Sequence, residues 1–417
     1  MRNINLSAIF VSILSKMGFN IIWPSFGVKP VISISIFVLI SATIFGITDS
    51  QAQVSVPDYS TESYLQPKLQ VQCIHTPVLP QANQPITVTA RVVDEFLAPN
   101  AADSIEIVID TNRTEPVIPT KSVNSSSRLN YTIGPFTNLT TISYGCSGID
   151  NSTSALLSTG MKKIVIGSFN ESSRAIPVLF TGNRTTNIDI LFIADNKTFS
   201  SPRDPNFLID VERAIAVYYN QSILLQNQNK TNFWIAQDMG QVKNNCESLP
   251  PANWNGEYVS FDAAVILHRD DSIRDCTMPG KELSTANMAT LAKEGYLLLH
   301  EIGHRPFGLA DEYDYPGFFI SSYPYQNVFN SKQDCENYIR ETEFVDPLSL
   351  VKKICRKIPY QDSLEYFTAD TKPNDLMVDN RQFQDLDKRR IEKWFENCLA
   401  PPDSIPAPPA YCKAQVS

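Results

Sequence analysis

The sequence is poor in histidine: His75, His268, His300 and His304 are its four copies in 417 residues. So few histidines give a chance His-Glu-x-x-His match only on the order of a few times per thousand such chains, so one that occurs carries weight. Its eight cysteines never form a C-x-x-C pair, which argues against a zinc ribbon. No basic stripe stands out, and a net charge of −9 argues against nucleic acid as a partner. No acidic residue precedes Asp49, and no Asn-x-Ser/Thr sequon follows Asn229. Internal repeats are absent as well, and the length suits two or three distinct domains.

What is present describes an exported, folded protein. The 43% hydrophobic and 19% charged content is that of a globular chain. Arg2, Lys16 and Lys29 precede an apolar run from Val31 to Ile47, and Ser50-Gln51-Ala52 is a small-x-small pattern suited to cleavage after Ala52. The pattern is that of a signal peptide in residues 1–52; its alternative is an N-terminal membrane anchor through residues 31–47, or a start at Met17. The even cysteine count (Cys73, Cys146, Cys246, Cys276, Cys335, Cys355, Cys398, Cys412) suits disulfides in an oxidising compartment. Sequons at Asn112, Asn124, Asn130, Asn138, Asn151, Asn170, Asn183, Asn196, Asn220 and Asn229 fit a glycoprotein whose active-site segment carries none.

Residues 53–64 read as a polar linker. Over 65–170, short alternating runs follow one another: Ile86–Val93, Ser104–Ile109, Thr141–Gly145 and Met161–Gly167. They predict a β-sandwich, with Cys73 before the first strand and a Cys73–Cys146 bridge tying two sheets, as in immunoglobulin-like domains. An irregular elaboration of the second domain is the alternative. Over 174–400 the periods lengthen: strands at Ile188–Ala194, Phe233–Ala236 and Ala263–Leu267, helical spacing over Phe207–Gln226, and an amphipathic helix over Leu386–Leu399. Strand, helix, strand predicts an α/β domain with parallel crossovers. Near-neighbour pairing joins Cys246 to Cys276, Cys335 to Cys355 and Cys398 to Cys412, the last pinning a Pro-rich tail at 401–417.

Chemistry concentrates in Leu297-Leu-Leu-His300-Glu301-Ile-Gly-His304-Arg-Pro-Phe-Gly308-Leu-Ala-Asp311-Glu312-Tyr313. Two histidines four apart share a helix face and can hold one metal ion, with Glu301 placed to reach a water beside it. Ser284 or Thr285 would cap this helix, Pro306 and Gly308 would end it, and Gly295 would lie in its interior. Asp311 then returns as a third ligand, with Glu312 as the alternative. Three ligands and an open position describe a hydrolytic zinc site, Zn2+ being the expected cofactor.

The segment His-Glu-x-Gly-His followed by Gly308-Leu-x-Asp311-Glu312-Tyr313 resembles the active site of the IgA-protease-type zinc metallopeptidases, relatives of the metzincins. Asn187–Asp195 resembles that family's opening strand and acidic turn, and Leu376-Met377-Val378 its Met-turn. Pro306 and Phe307 stand where the family has smaller or more flexible residues, and Asn196-Lys197 replaces its Gly-Tyr. The likeness spans roughly 175–400 and is strong over 296–313. It implies metal ligands His300, His304 and Asp311, Glu301 as general base, Met377 beneath the metal, and a protein or peptide substrate. The expected molecule is multidomain: an immunoglobulin-like β-sandwich, then an α/β metzincin-like zinc metalloendopeptidase, secreted or surface-anchored. The alternative is a non-catalytic adhesion or envelope glycoprotein that keeps the fold. His268 reads as an ordinary loop residue, Tyr313 as a packed aromatic, and His75 receives no role.

Overall fold

A computed structural model describes residues 69–94, 99, 102–111, 120–138, 140–150, 154–167, 174–254, 261–278, 283–289, 294–312, 326–341, 355–359, 365–369, 376–377, 383–399 and 412. The leader or anchor segment 1–52, the linker 53–64, Tyr313 and the tail around Cys412 lie outside these residues.

Alternation of apolar and polar residues builds the first part. The strands β1 (Gln70–Thr76), β2 (Ile86–Val93) and β5 (Arg128–Ile133) form an antiparallel sheet in the order β1-β2-β5. The strands β3 (Ala102–Thr111), β4 (Thr120–Ser126), β6 (Thr141–Ile149) and β7 (Leu156–Val165) form a second, in the order β4-β3-β6-β7. On β2, Ile86, Val88, Ala90 and Val92 are buried while Thr87, Thr89 and Arg91 are partly exposed, so one face goes inward. Those side chains share a core with Val71, Ile105, Ile107, Tyr144 and Ile164 of the other strands. Burying each large aliphatic there contributes about 1.5–3 kcal/mol. Cys73 sits inside β1 rather than before the first strand, and its bond to Cys146 on β6 joins the two sheets.

The second part is a mixed α/β region with five helices among the described residues. Its six-stranded sheet uses β8 (Ala175–Leu179), β9 (Ile188–Ala194), β10 (Thr231–Ala236), β11 (Ala263–His268), β12 (Thr277–Met278) and β13 (Leu283–Asn287), in the order β12-β13-β11-β9-β10-β8. The four central strands run parallel, and β12 and β8 pair antiparallel at the two ends. Every residue of β9 and β11 is buried, as continuous apolar runs in a doubly covered parallel sheet require. Alternate residues feed opposite cores: Ile190, Phe192, Val265 and Leu267 on one face, Leu191, Ile193, Ala264 and Ile266 on the other.

Helices α1 (Pro205–Tyr218), α2 (Ser222–Gln226), α3 (Glu294–His304), α4 (Lys332–Glu341) and α5 (Asp385–Asn397) complete this part, with a small β14 (Arg356–Pro359) and β15 (Glu365–Thr368) hairpin. Asp204 caps α1 by accepting the Asn206 N–H at 2.9 Å, and Pro205 occupies the first turn. The helical run over Phe207–Gln226 is thus two helices. Ser284 and Thr285 lie in β13, not at a helix cap, because they pair in parallel with Val265 and Ile266. The helix α3 is described from Glu294 onward and includes Gly295.

Buried polar contacts join the two parts. The Lys162 ammonium on β7 donates to the Cys73 carbonyl at 2.6 Å and to Gln228 Oε1 at 2.9 Å, while Gln228 Nε2 donates to the Val71 carbonyl at 2.5 Å. Glu212 of α1 accepts the Val78 N–H at 2.7 Å. The sequon residues Asn130, Asn138, Asn183, Asn196, Asn220 and Asn229 are all exposed. No helix among the described residues is long and apolar enough to cross a membrane. Four disulfides, Cys73–Cys146, Cys246–Cys276, Cys335–Cys355 and Cys398–Cys412, follow the near-neighbour pattern and fit an extracellular protein. Replacing Cys73 and Cys146 together with Ala frees a long loop in the unfolded chain and should lower stability by about 4 kcal/mol. A denaturant midpoint that does not move would show that the bond contributes nothing.

Candidate metal centre

The centre is assembled by one helix and the chain that turns back from it. Leu298, Leu299 and Ile302 of α3 enter the main core, which fixes the helix against the sheet. His300 and His304, one turn apart, bring their ring centroids to 4.7 Å. Gly308 (φ 68°) then reverses the chain; its N–H reaches the His304 carbonyl at 2.9 Å and the Leu309 N–H reaches the Gly303 carbonyl at 3.0 Å. From α5, Arg390 donates to the Phe307 carbonyl at 2.8 Å, and Trp394 and Phe395 pack on the Phe307 ring. Phe307 is fully buried there, so it serves packing.

The reversal delivers Asp311. Its Oδ1 lies 3.0 Å from His300 Nε2 and 3.3 Å from His304 Nε2. Each ring is fixed from behind: His300 Nδ1 is 3.1 Å from the Leu376 carbonyl and His304 Nδ1 is 2.8 Å from the Leu309 carbonyl. A carbonyl only accepts, so Nδ1 carries a hydrogen in each ring, which leaves Nε2, facing Asp311, as the nitrogen that would bind a metal once it gives up its proton. Tetrahedral zinc with bonds of about 2.0–2.2 Å separates neighbouring donors by roughly 3.3–3.6 Å. The 3.0 and 3.3 Å separations come close to that edge, and the three donor atoms all lie within 4.8 Å of one another. Two imidazoles and a carboxylate are also the right chemistry, so the residues fit zinc.

Burial disfavours a charged His300, but the Asp311 carboxylate beside it outweighs burial and lifts its pKa to about 9. Burial acts against the Asp311 carboxylate too, yet His304 and His300 hold it well below the usual range. Glu301 is raised, chiefly by burial.

Beneath the helix, Leu376 and Met377 close the site. A Cβ on Gly303 would sit 2.8 Å from Met377 Sδ, so only glycine lets the methionine approach this face. Met377 is fully buried, and its carbonyl accepts the Glu312 N–H at 3.0 Å. The Glu312 carboxylate binds Asn327 Nδ2 and the Arg356 guanidinium, both at 3.1 Å. Asn327 also brackets Ala310 through its N–H and carbonyl at 3.0 and 2.9 Å. Thus Asp311 joins the histidines, while Glu312 anchors the returning strand.

Glu301 is buried, and Thr277 Oγ1 donates to its Oε2 at 2.6 Å. Neither Thr277 nor Gly303 had been assigned a role from sequence. A glycine inside a helix costs about 1 kcal/mol, and that cost was the available signal for Gly303. Thr277 gave none. Asp195, just after β9, accepts the N–H groups of Thr198 and Val242, each at 3.0 Å. His268 is not a loop residue: it ends β11 fully buried and pairs with Asp275 at 2.7 Å. His75 lies on β1, with Nδ1 2.7 Å from the Tyr144 hydroxyl.

No known family and no curated protein matches the chain. Solved structures that it is similar to include Spo0M, the sporulation control protein of Bacillus subtilis, at 9% identity and TM-score 0.16, covering 24% of this chain and 50% of that one. A cycloisomaltooligosaccharide glucanotransferase from Paenibacillus sp. aligns at 10% identity and TM-score 0.18, over 48% of this chain and 39% of its own. The chain thus spans half or less of either, and neither likeness enters the argument below.

Asp311→Ala should abolish zinc binding at micromolar metal, whereas Glu312→Gln should retain zinc and lose about 1–3 kcal/mol of stability as the negative charge and one of the two acceptor oxygens facing Arg356 and Asn327 are lost. A zinc titration with the reverse ranking would move the third ligand to Glu312.

Proposed function

We propose that this chain is a secreted or surface-anchored zinc endopeptidase, with an immunoglobulin-like sandwich ahead of a metzincin-like catalytic domain. The observation that carries the reading is the convergence of His300, His304 and Asp311 on one point, with the buried carboxylate of Glu301 next to His300 in the chain. The resemblance of the 296–313 segment to IgA-protease-type metallopeptidases supports it, and the four disulfides and exposed sequon asparagines support export.

His300, His304 and Asp311 would hold the metal. Zinc, when bound, supplies Lewis acidity that makes water a nucleophile near neutral pH and polarises a peptide carbonyl. Glu301 takes the proton of the attacking water at its carboxylate as the new C–O bond forms. The same carboxyl then passes that proton to the departing amine nitrogen, without which the C–N bond does not break. Burial suits Glu301 to both roles, since a carboxyl with a raised pKa accepts a proton more readily than an exposed one.

Glu301→Gln keeps size and helix but removes the base, so zinc content should stay unchanged while hydrolysis of a peptide library falls by about two to four decades. A chelator should abolish cleavage, and zinc should restore it. Zinc-loaded wild type that cleaves no member of a broad library would support a non-catalytic adhesion or envelope glycoprotein instead.

A further inference from the structure

The edge of the six-stranded sheet touches the catalytic helix through one side chain. Thr277 on β12 is buried, and its Oγ1 lies 2.6 Å from Glu301 Oε2, 2.7 Å from Ser284 Oγ and 3.2 Å from the Glu301 carbonyl. A threonine hydroxyl has one proton to give. At 2.6 Å the carboxylate contact is in the range of a charge-assisted O–H···O⁻ bond, so the proton goes there. Thr277 Oγ1 must then accept from the Ser284 hydroxyl, and the two hydrogen bonds run in one direction: Ser284 to Thr277 to Glu301. Thr277 and Ser284 are register partners across β12 and β13, so the backbone ladder itself holds the two hydroxyls together. β-branching at Thr277 restricts its side chain further.

We propose that Thr277 is a positioning residue for Glu301, holding Oε2 so that Oε1 is the oxygen presented to the reacting water, with Ser284 orienting the threonine hydroxyl. A glutamate on a helix has three side-chain torsions to lose, and pinning one oxygen of its carboxylate removes most of that freedom before substrate arrives. Small misplacement of a reacting group costs up to about 100-fold in rate, which sets the scale of the effect. The proposal rests on the peptidase reading, so its test has one arm that does not.

In the metal-free full chain, denaturation midpoints are measured for Thr277→Val, Glu301→Ala and the double variant. Shifts that fail to add uphold the contact, and additive shifts overturn it. In the zinc-loaded chain, Thr277→Val should lower kcat about 10–100-fold with KM and zinc affinity unchanged. Thr277→Ser, which keeps the hydroxyl, should return kcat to within about threefold, and Ser284→Ala should fall between the two. Equal losses in the Val and Ser variants, or full activity in Thr277→Val, would overturn the positioning role. Wild type that cleaves nothing overturns the peptidase reading, and the midpoint cycle still decides the contact.

Discussion

The seating of Leu376 and Met377 against the underside of α3 is the constraint on which the centre depends. Met377 presses its sulfur onto Gly303, between the two histidine turns, at a distance no other residue at position 303 would permit. Seated there, the same dipeptide offers two carbonyls: that of Leu376 fixes the His300 ring, and that of Met377 receives the Glu312 N–H of the returning strand. Three separate pieces of the site are therefore referenced to one point. A side chain at Gly303 would force the Met377 thioether to shift away from this face of the helix.

The returning strand is held from its other side as well. Arg390, fully buried, grips the Phe307 carbonyl while Trp394 and Phe395 enclose its ring. Asn327 and Arg356 then fix Ala310 and Glu312 on either side of Asp311. Asp311 is thus carried by neighbours that do no chemistry themselves, which is how a ligand on a loop acquires the precision of one on a helix.

How much of this was legible in the chain follows from what each residue does locally. The strand Ile86–Val93 was readable to the residue, because its apolar positions alternate and face one core. So were Ile188–Ala194 and the pairing of neighbouring cysteines. The strand Gln70–Thr76 was not, since Gln70, Gln72 and His75 are buried despite their polarity and hide the pattern. Leu283–Asn287 was taken for a helix start because Ser and Thr serve both as caps and as strand residues, and pairing with β11 decided between them. At the site, the pairing of His300 with His304 was legible through their spacing along one helix. The Thr277 hydroxyl and the Leu376 carbonyl were not, because they reach the helix only through tertiary folding and leave no periodicity behind.

The central claim is that His300, His304 and Asp311 form a zinc site with both imidazoles bound through Nε2. X-ray absorption at the zinc edge of the purified, zinc-loaded chain tests it most directly. The account predicts four nitrogen or oxygen neighbours at about 2.0–2.1 Å, with outer-shell scattering from two imidazole rings. A sulfur neighbour at about 2.3 Å, or a first shell of water oxygens without imidazole scattering, would contradict it.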